Sequence, residues 1–208
     1  TQGIGYSVRF GAMDAAAATS RARALGWTNV TVWPETPRDE VHAIVLLEPL
    51  DARNRAAIGY DMHTEAVRRD AMDRARDSGH ITLSGKVVLV QEIEGQKQAG
   101  FLLYAPLYEG GVVPETIEDR RRKLKGYVYA PLRARDLFDG ILEPARLPVA
   151  FELYDGDAIG GDGRLYSTGP TIDARERPVV RTLSVAQHDW TARFAPTARS
   201  TVGFTLTR

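Results

Sequence analysis

The 208-residue chain has no cysteine, which excludes disulfide staples and thiolate metal sites while leaving the compartment open. It also lacks charge of one sign: 27 Lys and Arg balance 27 Asp and Glu, for a formal net charge of zero. Without a basic excess there is no whole-chain electrostatic footprint for nucleic acid or an acidic membrane surface, and no nucleic-acid partner is expected. Nor does any stretch approach the roughly 18 consecutive apolar residues that a membrane-spanning helix needs. The opening Thr1-Gln2-Gly3 carries neither an initiator methionine nor a signal-peptide pattern, so the chain reads as an excised or processed soluble piece of something longer.

Catalytic signatures are equally scarce. His42, His63, His80 and His188 are scattered without ligand spacing, so no metal site is expected. Asp155-Gly156-Asp157 and Asp162-Gly163 resemble pieces of calcium loops, but the closing Glu of a twelve-residue loop is missing and they read as turns. Ser84 and Ser167 lie in no nucleophile elbow, and no glycine-rich phosphate loop is present. Asp61 and Glu92 are the acidic pair that could do acid/base work, yet nothing supports turnover. The expectation is a non-enzymatic domain without a cofactor.

What the chain does have is a succession of helical and strand-like segments, an α/β (α+β) pattern. Residues 11–27 predict a helix from the spacing of Ala15, Ala18, Ala22 and Leu25, with Asp14 near its start and Gly26 beyond its end. Residues 30–33 and 43–47 are rich in β-branched and apolar side chains and predict two neighbouring antiparallel strands around a turn at 34–39. Residues 55–58 suggest a helical turn. The clearest helix is 64–78, with Val67, Ala71 and Ala75 on one face and Gly79 as its stop signal.

Residues 86–93 and 100–107, apolar on both faces, predict a central hairpin. A helix led by Pro114 at its first position, a strand at 126–130 and a helix at 133–142 follow. The last third offers short strands at 149–154, 164–167, 179–186, 190–194 and 202–206, which make a second, smaller sheet. The boundary falls near Arg135, dividing the chain into 1–134 and 135–208.

The stretch 58–92 holds a carboxylate, a helix and an apolar strand in succession. With its neighbours it forms an ordered series: Trp33-Pro34-Glu35, Arg38-Asp39-Glu40, Glu48-Pro49-Leu50, Gly59-Tyr60-Asp61-Met62, Ala75-Arg76-Asp77-Ser78-Gly79, Leu89-Val90-Gln91-Glu92, Gly100 through Tyr108, and Gly126-Tyr127-Val128. Over residues 3–142 this series resembles a CHASE domain, the extracytoplasmic sensor of bacterial histidine kinases and cyclases and of plant cytokinin receptors.

The resemblance implies two tandem PAS-like subdomains with antiparallel sheets, the membrane-distal one binding a small molecule. It also implies a preceding stalk helix, which reads as absent here because Gly3-Ile4-Gly5-Tyr6 already matches the segment after it. The membrane would then be reached only through flanking helices outside the chain, and homodimerisation would belong to the full-length receptor. The implied ligand-binding residues are Asp61 as the polar anchor, Leu83 as a backbone contact and Gln91 and Glu92 at the end of the next strand, with Val45, Leu47, Leu103 and Ala105 as apolar walls. Gln91-Glu92 and Tyr104-Ala105 depart from the plant pattern, which argues against cytokinin itself and for a ligand presenting donors or positive charge. The localisation implied is the periplasmic or extracellular face of a cell membrane. A module that recognises a partner protein is the alternative.

Overall fold

A computed structural model describes residues 3–36, 38–90, 98–142, 148–157 and 159–196. The first half begins with strand β1 (Ile4–Gly11), helix α1 (Ala15–Ala24), strand β2 (Val41–Glu48) and helix α2 (Ala52–Ala57). Helix α3 (Ala66–Ser78), the short strands β3 (Thr82–Leu83) and β4 (Val87–Val88), and the long strand β5 (Ala99–Tyr108) follow. Helix α4 (Ile117–Lys123), strand β6 (Leu124–Arg133) and helix α5 (Ala134–Leu142) lead to β7 (Val149–Asp155), β8 (Arg164–Ser167), β9 (Val179–Val185) and β10 (His188–Pro196).

The strands form two antiparallel sheets. The first runs β2-β1-β6-β5-β3 with β4 also on β5, and the second runs β8-β7-β10-β9. With five α-helices among the described residues, this is the mixed α/β content expected of two tandem PAS-like subdomains.

The first sheet is covered on both faces. On one, α1 lays the small side chains Ala15, Ala18 and Ala22 against Phe10, Val41, Ala43 and Val45. On the other, α3 packs Ala71, Met72 and Ala75 against Ile44, Tyr104, Tyr127 and Tyr129. The Tyr127 hydroxyl donates to the Met72 carbonyl (2.8 Å), so this aromatic layer is tied to the helix as well as packed against it. The pairing of β1 with β2 slips where Tyr6 faces Leu46 but Ser7 faces Ile44, leaving Val45 as a bulge. That extra residue brings Ile44 and Leu47, three positions apart, into the same cluster.

The helix at 64–78 forms as α3, with Glu65 accepting from the amides of Val67 and Arg68 and Gly79 closing it at φ +74°. Helix α1 starts at its cap, Asp14, and Leu25 proves 58% exposed beyond its end. Several expectations are corrected. Strand β1, whose first residues Ile4-Gly5-Tyr6 matched the post-stalk segment and for which no strand was expected, lies between β2 and β6. Residues 30–33 are no strand, because the side of β2 away from β1 is taken by the 59–61 segment, through Ile44 and Ala43. Val30 and Val32 pack against α1, the Val32 amide donates to Thr19 Oγ1 (2.9 Å), and only Trp33 keeps a bridge, to Tyr60.

Of 86–93, only Val87–Val88 pair with β5, and Val88 is exposed, so this is an edge rather than a central strand; residues 91–93 lie outside the described residues. Helix α4 starts at Ile117 with Thr116 as its cap, its hydroxyl taking the Asp119 amide, so Pro114 precedes the helix. The strand expected at 202–206 lies outside the described residues.

The two sheets meet in a shared core. Leu83, Phe101, Leu132 and Ala134 pack with Phe151, Leu153, Leu165, Tyr166 and Trp190. The turn between β9 and β10, Ala186-Gln187, docks onto the first sheet: Leu83 N donates to Ala186 O (2.8 Å) and Arg74 Nη1 to Gln187 O (2.6 Å). Both turn residues hold positive φ, 45° and 61°, which disfavours side chains other than glycine and asparagine. Their carbonyls and the Gln187 amide, which reaches Ser78 and Thr82 (3.1 Å each), make the contacts that hold the turn in place.

Candidate functional site

The interior between the first sheet and α3 is filled by its tyrosine layer. Among Ile44, Tyr60, Met62, Leu102 and Tyr129 only about 10 Å³ stays free, room for one water at most. The larger space is outside that layer, a cleft of about 940 Å³. Trp33, Pro34, Arg38 and Glu40 line it from the connector before β2, Tyr60, His63 and Glu65 from the segment before α3, and Arg69, Asp73 and Arg76 from α3 itself. Successive turns of α3 supply the last three, so the helix forms one continuous charged wall.

Asp61 lies beneath this cleft with no exposed surface. Its Oδ1 accepts from the amides of His42 (2.8 Å) and His63 (3.0 Å), and its Oδ2 stands 3.1 Å from Arg38 Nε. The carboxylate therefore caps the short 3-10 turn Met62–Thr64, clamps that turn to β2, and anchors the arginine above it. Arg38 Nη2 donates to the Pro34 carbonyl. Its Nη1 is buried and has no hydrogen-bond partner among the described residues, an expensive state for a charged donor unless something in the cleft accepts from it.

Beside this pair lies a second polar group. His42, on β2, is fully buried, and neither ring nitrogen has a hydrogen-bond partner among the described residues. Its ring sits 4.8 Å from that of His63 and 5.4 Å from that of Tyr127. Glu40 Oε2 stands 3.5 Å from His42 Nε2, long for a hydrogen bond. Burial pushes the Glu40 carboxyl up, but the His42 imidazole and the Arg9 guanidinium outweigh it and hold the group down at about 2. Burial pushes His42 below its ordinary value, with Glu40 opposing only in part. Asp73 takes His63 Nε2 at 3.2 Å and Arg76 Nη1 at 2.9 Å. Burial raises the Asp73 carboxyl, yet His63 and Arg76 leave it lowered overall.

The residues expected from the sequence to line one pocket are distributed. Val45 and Leu47 line a second cleft of about 530 Å³ together with Trp27, Asn29, Leu50, Arg55 and Ile58. Leu83 and Leu103 are register partners on β3 and β5, and both pack in the core shared with the second sheet. Ala105 of β5 pairs with Val128 of β6 and is half-buried. Gln91 and Glu92 lie outside the described residues. None of these described residues lines the cleft; Asp61 lies beneath it and reaches it only through Arg38.

Sequence reading missed Arg38, Arg69, Arg76 and the meeting of His42 with His63. The only signal for them was the Trp33-Pro34-Glu35…Arg38-Asp39-Glu40 series, which names the connector but not what it faces. The histidines meet because the Tyr60 carbonyl takes the Ile44 amide (3.0 Å) and the Ile44 carbonyl takes the Gly59 amide (2.8 Å), lashing the 59–63 segment to β2.

Helix α3 joins the cleft to the second sheet. Arg69, Asp73 and Arg76 line the cleft, while Arg74 and Ser78 of the same helix hold the β9–β10 turn. No curated protein matches the chain by sequence. Comparison with family profiles matches the CHASE domain over residues 1–166, past the span 3–142 of the motif series and through the whole of β7. By that match the chain belongs to the CHASE domain family, the extracytoplasmic sensor modules of signalling receptors.

Proposed function

We propose that the chain is the ligand-sensing ectodomain of a transmembrane receptor with a histidine kinase or nucleotide cyclase output, facing the periplasm or the cell exterior. Residues 1–134 form the membrane-distal ligand-binding subdomain and 135–208 the membrane-proximal one. A small polar molecule occupies the cleft above Asp61, between the connector before β2 and helix α3. The observation that carries this reading is the buried, unpartnered Arg38 Nη1 above the Arg38–Asp61 pair at the foot of a 940 Å³ cleft. Trp33 and Tyr60, with ring centroids 4.7 Å apart, supply the aromatic wall. The arginines and carboxylates on the other walls suit a ligand carrying both donors and acceptors.

Binding signals only if the ligand has different affinity for two arrangements of the domain. Helix α3 is the element placed to carry that difference, since it touches the cleft on one side and the β9–β10 turn on the other. A thermal-shift screen of purines, amino acids and organic acids tests the reading. A hit whose shift disappears in Arg38→Ala and in Arg69→Ala is expected. A screen without hits, or hits indifferent to both substitutions while the variants stay folded, overturns it.

A module that recognises a partner protein is favoured by one observation. Among the described residues strand β9 is a sheet edge, and Val179, Val180, Leu183 and Val185 on it are all exposed; an edge of that kind invites pairing. A response to a purified partner protein that Leu183→Lys abolishes, without any small-molecule shift, is the result that would favour it.

A further inference from the structure

We infer that Glu40, His42 and His63 form a binding site for a divalent transition-metal cation of the zinc class at the foot of the cleft. One ligand atom from each residue can be chosen so that all three lie within 4.8 Å of one another. A tetrahedral zinc with imidazole and carboxylate ligands holds them about 3.4 Å apart. Glu40 and His63, each 13% exposed at the side chain, can close that distance from the cleft side. His42 is the fixed member, the second residue of β2, held by its amide to Asp61 and without exposed surface.

The cluster differs from an ordinary group of polar surface residues in one respect. Both ring nitrogens of a fully buried imidazole go without a hydrogen bond among the described residues, although a carboxylate and a second imidazole stand beside it. A buried polar group in that state is short of a partner, and a metal ion would be one. Two imidazoles and one carboxylate select zinc, copper or nickel over calcium and magnesium, which prefer all-oxygen shells. Three protein ligands leave a fourth position, open to the cleft.

The surrounding charges fit with one adjustment. Arg9 pairs with Glu40 Oε1 and can keep it, while Oε2, the oxygen facing His42, goes to the cation. Arg76 Nη1, 3.7 Å from Oε2, has Asp73 at 2.9 Å as its alternative partner. Asp73 also steadies the His63 ring, and Asp61 adds a buried negative charge behind the site. The histidine spacing in the chain offered no ligand pattern because β2 and the 3-10 turn are brought together only by the fold.

Titration of the 208-residue chain with zinc chloride by calorimetry, and with cobalt chloride by visible absorption, tests the site. One zinc per chain and a tetrahedral cobalt band are expected. His42→Gln and His63→Ala should each weaken zinc binding about tenfold or more, and His80→Ala and His188→Ala should leave it unchanged. Absence of saturable binding overturns the site, as does unchanged affinity in folded His63→Ala and Glu40→Gln, which decide the matter should His42→Gln fail to fold. Loss confined to His80→Ala or His188→Ala would overturn it too. Because metal binding is read without any organic ligand, its failure leaves the small-molecule reading standing, and the converse holds.

Discussion

Arg38 Nε stands 3.1 Å from Asp61 Oδ2, and the carboxylate it faces has no exposed surface. Removing one member of such a pair strands the other's charge in a low-dielectric site, which costs more than the pair itself contributes. Asp61→Ala also orphans the amides of His42 and His63. It should lower unfolding free energy by about 3–5 kcal/mol, read as a lower urea midpoint. Asp61→Asn keeps an acceptor for the two amides and should cost less, about 1–3 kcal/mol. Equal losses in the two variants would mean that the amide contacts contribute nothing.

Gly59 holds φ at +84° between β2 and the Trp33 connector, giving its amide to Ile44 and its carbonyl to Trp33. A β-carbon there would be forced into the carbonyl oxygen of Thr31. Gly59→Ala should therefore destabilise the domain by about 2 kcal/mol or more, and should loosen the cleft wall that carries Trp33 and Tyr60. Thermal denaturation with tryptophan fluorescence measures both effects, and an unchanged midpoint would contradict the close approach.

Gln187 tests the link between α3 and the second sheet. Gln187→Ala removes the amide contacts to Ser78, Ile81 and Thr82. The Leu83 amide, bonded across to Ala186, should then exchange faster with solvent hydrogen, while the Ser84 amide, bonded within the first sheet to Leu102, should keep its rate. Equal acceleration at both positions would point to global destabilisation instead of loosened docking.

Asp77 supplies an acid-sensitive tie between α3 and α4. Its hydrogen bond from Arg121, together with Arg76, outweighs burial and lowers the carboxyl to about 2 from an ordinary 3.8. A carboxyl lowered in the folded state contributes stability that is whole above its unfolded value, about pH 4, and is lost as pH falls towards the folded one. Denaturation midpoints should fall between pH 4 and pH 2, and Asp77→Asn should flatten part of that slope. Arg121 is exposed, so added salt should shrink the effect. A slope identical in wild type and Asp77→Asn would refute the assignment.

Local signals predicted local structure well. Asp14 and Gly79 sit at ends of helices whose apolar spacing was plain, and β5, the long apolar run, lies inside its sheet as its composition demands. Where competition decided the outcome, the local signal failed. Residues 30–33 carry a strand composition, but a strand needs a free edge, and the 59–61 segment holds the one on the side of β2 away from β1. The candidate site was least legible. The resemblance implied Asp61 as the polar anchor of a pocket, and in the fold it caps the 3-10 turn and holds Arg38 at once.

The sequence by itself determined the family, through an ordered series of motifs, and with it the sensor class and the α/β succession of elements, since propensity and turn chemistry act over a few residues. Only the tertiary structure decided that the tyrosine layer fills the space under α3. Only the fold opens the cleft outside it, and sets His42 against His63 and Arg38 over Asp61. Those pairings depend on bonds between segments far apart in the chain, among them Ile44 to Tyr60. No short-range preference specifies such bonds, because their free energy is realised only once the sheet has formed.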